Sequence, residues 1–378
     1  MQMKISFTYL LILFCMTNGF ANENAIDPNV VVQEMLTEIR KVQKTFYIKK
    51  DDVLNQISAI NQQLKTEENL NQKVNLLIQK DVLNDNLKKL ELENSSDISK
   101  IRYIKGLQII KILYEKVLSL DHHFASVRTF SEISKMANPN QYPEFEKIKE
   151  LVKTKREKKQ GLDLTSILGT NTLISVINTF SNMMVSGLTK EEKETELAKI
   201  ECILDFTLRM QTDLNTIYFE TAYLQASNNA IKNDIEALFK DYTKSINYLV
   251  TLSECRNNDD WDKVSSQLNT YLIAMDKAEG VQKNKMLINL EFPIDRLIQF
   301  ITQYNNFINE GEKFYQKFSI ILNSYENEKQ CESKLPMEYK KLKSDINIAI
   351  EKFNVAYRPV EVNGTKMKEI LYGINEFQ

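Results

Sequence analysis

The chain has 378 residues, 43% of them hydrophobic, with 49 basic and 51 acidic side chains and a formal net charge of −2. That near balance argues against a nucleic-acid binder, which needs a basic face. Only 9 glycines and 6 prolines occur, too few turn residues for an all-β or doubly wound protein, whereas the abundance of Lys, Glu, Leu, Ile, Asn and Gln suits long helices with a wet outer face.

Residues 1–21 read as a secretory signal peptide: Lys4 is the positive start, residues 5–16 are the apolar core, and Gly19-Phe20-Ala21 offers small residues at the cleavage site. That core is shorter than the ~20 residues a spanning helix needs, and Phe14 before Cys15 is too bulky for a lipidation site. Export would leave Cys202, Cys255 and Cys331 in a compartment that permits disulfides. Cys255, in SECRNNDD, and Cys331, in EKQCESK, both follow helical patterns in polar sequence and form the candidate disulfide, while Cys202, in IECILDF, reads as a buried thiol.

Residues 22–160 form an N-terminal helical part. A helix over 28–64 carries Val53, Ile57, Ile60 and Leu64 on one face, and a second over 67–92 carries Leu70, Val74, Leu77 and Ile78. Asn94-Ser95-Ser96-Asp97 reads as a break that supplies an N-cap. The third helix runs to about 136 with Ile110, Leu113, Val117, Leu120 and Phe124 in register, and Asn138-Pro139-Asn140 ends it. His122 and His123 point about 100° apart on a helix, so they cannot share a metal there; they read as a surface pair.

Residues 161–189 are the most distinctive part of the chain. From 164 to 189 no charge occurs, between a basic run (Lys153, Lys155, Arg156, Lys158, Lys159) and an acidic one (Glu191, Glu192, Glu194, Glu196). Leu164, Ile167, Leu168, Leu173, Ile174, Ile177, Phe180, Met184 and Leu188 are candidate docking or membrane-contacting residues, and Asn171, Ser175, Asn178 and Asn182 form a polar but uncharged stripe. A core helix normally shows Lys or Glu outside, whereas Ser and Asn stripes serve helix contacts in lipid. As one helix, 164–188 would reach about 37 Å, longer than a bilayer core of about 30 Å. Against lipid stand the missing Trp or Tyr anchors and the many Ser, Thr and Asn residues. The segment is either a helix or hairpin packed in a bundle or interface, or a membrane contact.

Residues 190–358 form the C-terminal long-helix part. Thr189 and Glu192 make a capping box, and the helix runs to about 253 with a heptad seam of Leu214, Ile217, Thr221, Leu224, Asn228, Ile231, Ile235, Leu238 and Tyr242. Thr221 and Asn228 are polar seam positions that fix register and partner. Asp259 or Asp260 caps a short helix holding Val264, Leu268, Tyr271 and Met275; Trp261 anchors its start and Gly280 ends it. Pro293 opens a helix with a seam of Ile294, Leu297, Ile301, Tyr304, Ile308, Gly311, Tyr315, Phe318, Leu322 and Tyr325. Gly311 there admits a neighbouring backbone, at a propensity cost of about 1 kcal/mol. Pro336 opens the last long helix, with Tyr339, Leu342, Ile346, Ala349 and Phe353; Pro359 stops it, and 359–378 is a short tail.

The fold expected is all-α: an elongated bundle of long antiparallel coiled-coil-like helices with a central apolar helix or hairpin. No HExxH, CxxC, phosphate-binding glycine loop or GxSxG elbow occurs, so no catalytic, cofactor or metal residue is assigned. The function expected is that of an exported, non-enzymatic bundle in the periplasm or outside the cell. It would bind a protein partner or itself, as adaptor or envelope scaffold, with no nucleic-acid or small-molecule ligand. The alternative is a two-state membrane-inserting protein that uses residues 164–188. In plan the layout is similar to the α-helical pore-forming toxins of the cytolysin A and haemolysin BL type, long bundles that hold an apolar segment between central helices. The similarity is one of layout, with no shared motif, and the apolar piece here is short for that family.

Overall fold

The computed structural model describes residues 27–126, 189–327 and 337–373. Among the described residues every regular element is a helix, and no strand occurs. In chain order they are α1 (Pro28–Thr66), α2 (Leu70–Ser126), α3 (Lys190–Lys244), α4 (Leu252–Asn257), α5 (Trp261–Lys277), α6 (Gly280–Asn327), α7 (Met337–Ala356) and α8 (Gly364–Tyr372). Residues 1–21, read above as a signal peptide, residues 164–188 with all the candidate positions on them, and Cys331 lie outside the described residues.

The chain divides into two units. The first draws on residues up to 115, 234–302 and 360 onward; the second draws on 116–233 and 303–359.

In the first unit, Asp27 caps α1 by accepting from the Asn29 backbone N–H (3.0 Å), with Pro28 in the first turn. The first turns of α1 bury Val31, Val32, Met35, Leu36 and Ile39. α1 and α2 run antiparallel. Lys105 of α2 pairs with Glu34 (2.8 Å) and Glu38 (3.2 Å) of α1, and Lys50 of α1 with Glu91 of α2 (3.5 Å). α2 does not break at Asn94-Ser95-Ser96-Asp97, as the sequence led us to expect. Ser99 donates to the Ser95 carbonyl (2.8 Å) and to the Glu291 carboxylate (2.9 Å), and Ser96 and Ser99 are buried. Ser95 also reaches the Glu291 carboxylate (3.5 Å), so part of this polar run packs on α6 and the helix continues through it.

Two further boundaries move. α3 ends at Lys244, not near 253: Asn247 takes a left-handed backbone (φ 60°), and Thr251 with Glu254 forms a complete capping box that starts α4. α6 begins at Gly280, whose φ is +55°, and passes straight through Pro293. An interior proline costs roughly 3 kcal/mol. Leu287 and Leu290 before it and Ile294 and Leu297 after it are all buried, and that continuous apolar face outweighs one lost backbone bond.

The expected Cys255–Cys331 bridge is not formed. Cys255 lies on the covered face of α4 as a free, buried thiol that shares a hydrogen bond with the Tyr248 hydroxyl. The polar sequence SECRNNDD suggested an exposed helix end, but the inward face of so short a helix is set by what it packs on. Cys202, read as a free thiol, is disulfide-bonded.

In the second unit the heptad seams are core. Ile217, Thr221, Leu224, Asn228 and Ile231 of α3 and Tyr304, Ile308, Tyr315, Phe318, Leu322 and Tyr325 of α6 are all buried. Ile346 and Phe353 of α7 join them.

Candidate interaction surface

α1 ends and α2 begins at a three-residue turn, Glu67-Glu68-Asn69. Glu67 accepts from the Asn69 N–H (2.8 Å), and Asn69 accepts from the Asn71 N–H (2.9 Å), so the turn caps α2 with its own side chains. Next to the turn α1 presents Val53, Ile57, Ile60 and Leu64, of which Ile60 is buried and the others half-buried. On α2 the apolar residues that become half-buried over 71–90 are Leu76, Leu83, Leu87 and Leu90.

The stripe read as the packing face of this helix is instead open. Leu70 is 75% exposed, Val74 47%, Leu77 49%, Ile78 56% and Val82 55%. These positions follow helical spacing and share one face. α2 carries two apolar faces here, and one neighbouring helix covers only one of them. An exposed apolar stripe of this kind is a candidate interaction surface. Asp81, Asp85, Lys88 and Lys89 are exposed along its C-terminal half.

The register residues do a different job from the one expected. Thr221 donates to the Ile217 carbonyl of its own helix (2.9 Å). Asn228, 1% exposed, donates through Nδ2 to the Val117 carbonyl of α2 (3.2 Å), while its Oδ1 is left without a partner. Its pairing is therefore inside the chain, not with a second protein. Gly311 does sit at a close approach, but to a ring: a Cβ there would stand 2.7 Å from Phe353 Cζ.

Three features were not legible in the sequence. Glu236 accepts from the Tyr114 hydroxyl (2.9 Å) and from the Leu252 and Ser253 backbone N–H groups (3.0 and 3.1 Å), so one carboxylate seats the start of α4. Arg102 is buried, with Glu291 and Asp295 as its nearest opposite charges; burial lowers its pKa and the two carboxylates oppose that. His123 is not a surface residue. It is half-buried, shares a 2.8 Å hydrogen bond with the Tyr315 hydroxyl, and lies among Tyr315, Phe353 and Tyr357. Burial, and then the Lys352 charge, hold its pKa below the ordinary 6.5. Trp261 does open α5, with the Lys111 ammonium 4.7 Å from its ring centre and Phe239 edge-on at 6.0 Å.

None of these features makes a reaction centre. Burial pushes the Cys255 thiol up, away from the thiolate. A groove of ≈340 Å³ between α3 and α6 is lined by Leu208, Arg209, Thr212, Asp213, Ser324 and Tyr325, but its charged groups are already engaged: Tyr325 donates to Asp213 (2.5 Å) and Arg209 pairs with Asp205 (2.9 Å). No cluster of His, Cys, Asp and Glu suited to a metal occurs among the described residues. The chain matches no protein-family model, no curated protein and no solved structure.

Proposed function

We propose that this chain is an exported, non-enzymatic helical-bundle protein that acts by binding protein, as an adaptor or an envelope scaffold. The observation that carries this reading is the open stripe Leu70, Val74, Leu77, Ile78 and Val82. Covering apolar surface stabilises by about 25 cal/mol per Å², and aliphatic side chains at helical spacing suit helix-on-helix docking. On this reading the long helices lie as an elongated antiparallel bundle whose heptad seams are filled from within. The polar seam residues then hold internal register, and partner binding falls to the exposed face. The disulfide at Cys202 fits an oxidising compartment and so favours export. The test is a photo-crosslinking amino acid placed at Leu77, with Lys313 of α6 as the control position, in the producing cell. A discrete protein adduct at Leu77 and none at Lys313 is the expected result. No adduct at Leu77 would refute the reading.

The second reading is a two-state protein that inserts residues 164–188 into a membrane, with the charge-free run as its support. Among the described residues no helix is long and apolar enough to cross a membrane; on this reading residues 164–188 supply the inserting segment. Dye release from liposomes checks it: leakage at micromolar protein, lost in Ile177→Asp, supports insertion, and no leakage excludes it.

A further inference from the structure

We infer that the aromatic seat around His123 is an acid-sensitive latch: protonation of His123 releases the C-terminal half of α7 from α2 and α6. α7 is thinly held. From residue 343 to 357 only Ile346, Phe353 and Tyr357 are buried, while Val355 is 75% exposed and Ile348 47%. Two of those anchors, Phe353 and Tyr357, stand against the His123 ring, each with its ring centre 5.7 Å away. Tyr315 of α6 closes the seat, its hydroxyl 2.8 Å from His123 Nε2. α2 also ties the end of α7 through Lys116, which donates to the Ala356 carbonyl (2.7 Å). Ser119 adds a 2.5 Å hydrogen bond between its hydroxyl and that of Tyr357. The groups around the ring are thus Tyr315 from α6, Lys352 and Phe353 from α7 and Tyr357 just beyond it, with Ser119 and Lys116 one and two turns back on α2. A proton on the ring puts a cation in a covered site near the Lys352 ammonium. Burial raises the pKa of the Tyr315 and Tyr357 hydroxyls, so neither ionises to balance that charge. Opening α7 returns water to the ring, so the open form takes up the proton first. The closed form is favoured above the ordinary 6.5 and loses that preference as pH falls through the lower closed value. An element with so few buried contacts opens locally, without the rest of the fold.

Hydrogen–deuterium exchange of the intact chain, read by mass spectrometry at about pH 7.5 and about pH 5, tests this. After correction for the intrinsic exchange rate, opening over residues 346–357 should rise at least about threefold at the lower pH. The first turns of α1 should stay protected. His123→Gln keeps a polar group in the seat that does not titrate, so the rise should vanish. Lys352→Gln changes an exposed side chain, removes the neighbouring cation and should shrink the rise. Each variant is compared with itself at the two pH values, so a uniform loss of stability does not mimic the effect. A proton NMR titration of the unsubstituted chain should place His123 below the ordinary 6.5. Opening of α7 that ignores pH, a rise that persists in His123→Gln, an equal rise in α1, or a His123 that titrates at or above the ordinary value would each overturn the inference.

Discussion

Gly311 is the position where one methyl group decides most. Its missing Cβ leaves room for the Phe353 ring, so Gly311→Ala should destabilise by about 1–2 kcal/mol, despite a gain in helix propensity of about 1 kcal/mol. Phe353→Leu in the same chain should recover part of that loss, as read by urea denaturation. Asn228 is the opposite case. Its buried Oδ1 has no partner, and removing such a group is worth on the order of 1 kcal/mol. Asn228→Leu is expected to raise the urea midpoint. His123 links the second unit to pH. Its native pKa lies below the ordinary 6.5 because of burial and Lys352, so the unfolded chain takes up a proton before the folded one does. The contribution of His123 is therefore complete above the unfolded value and is lost as pH falls from about 6.5 through the lower folded value. The denaturation midpoint should fall over that window, and fall less steeply in His123→Phe. None of the three outcomes was legible residue by residue. The heptad spacing marked Gly311 and Asn228 as special, but which atoms meet them depends on residues more than 40 and 100 positions away.

At the scale of elements, the antiparallel pairing of α1 and α2 turns on Lys105. Its ammonium is 4% exposed between Glu34 and Glu38. Burial works to lower its pKa, and the two carboxylates overcome that and hold it raised. Lys105→Ala should cost on the order of 2 kcal/mol, discounted because Glu34 is half-exposed, while Lys105→Met should retain most of the stability. Comparing the two by chemical denaturation separates lost charge from lost packing. The same pair of helices shows where periodicity reads well and where it fails. The extents of α1, α5 and α7 follow from hydrophobic spacing and end signals. The break expected in α2 and the start expected for α6 were misplaced, because Ser99 on Glu291 and the buried flanks of Pro293 are tertiary facts. The face of α2 beyond the turn was assigned backwards for the same reason: both faces are apolar, and only the position of α1 says which is covered.

For the whole molecule, each unit assembles segments far apart in the chain, and the thiols report on that assembly. Cys255 is buried and free, so a maleimide probe should leave it unlabelled in the native protein and react once the chain is denatured. Cys202 is disulfide-bonded, and its reduction should lower the unfolding free energy by about 2–4 kcal/mol. A reductant that leaves the midpoint unchanged would show that this bridge does not constrain the unfolded chain.

By itself, the sequence was enough for the all-helical class, the two long seams and the places where polar residues interrupt them. These follow from a period of 3.6 residues that any short window displays. Only the tertiary structure decided which cysteine is bridged, which serine and proline interruptions a helix absorbs, where His123 lies and which of the two greasy faces of α2 stays open. Those outcomes depend on which neighbour arrives to cover a surface, and coverage is a non-local quantity that no window of sequence contains.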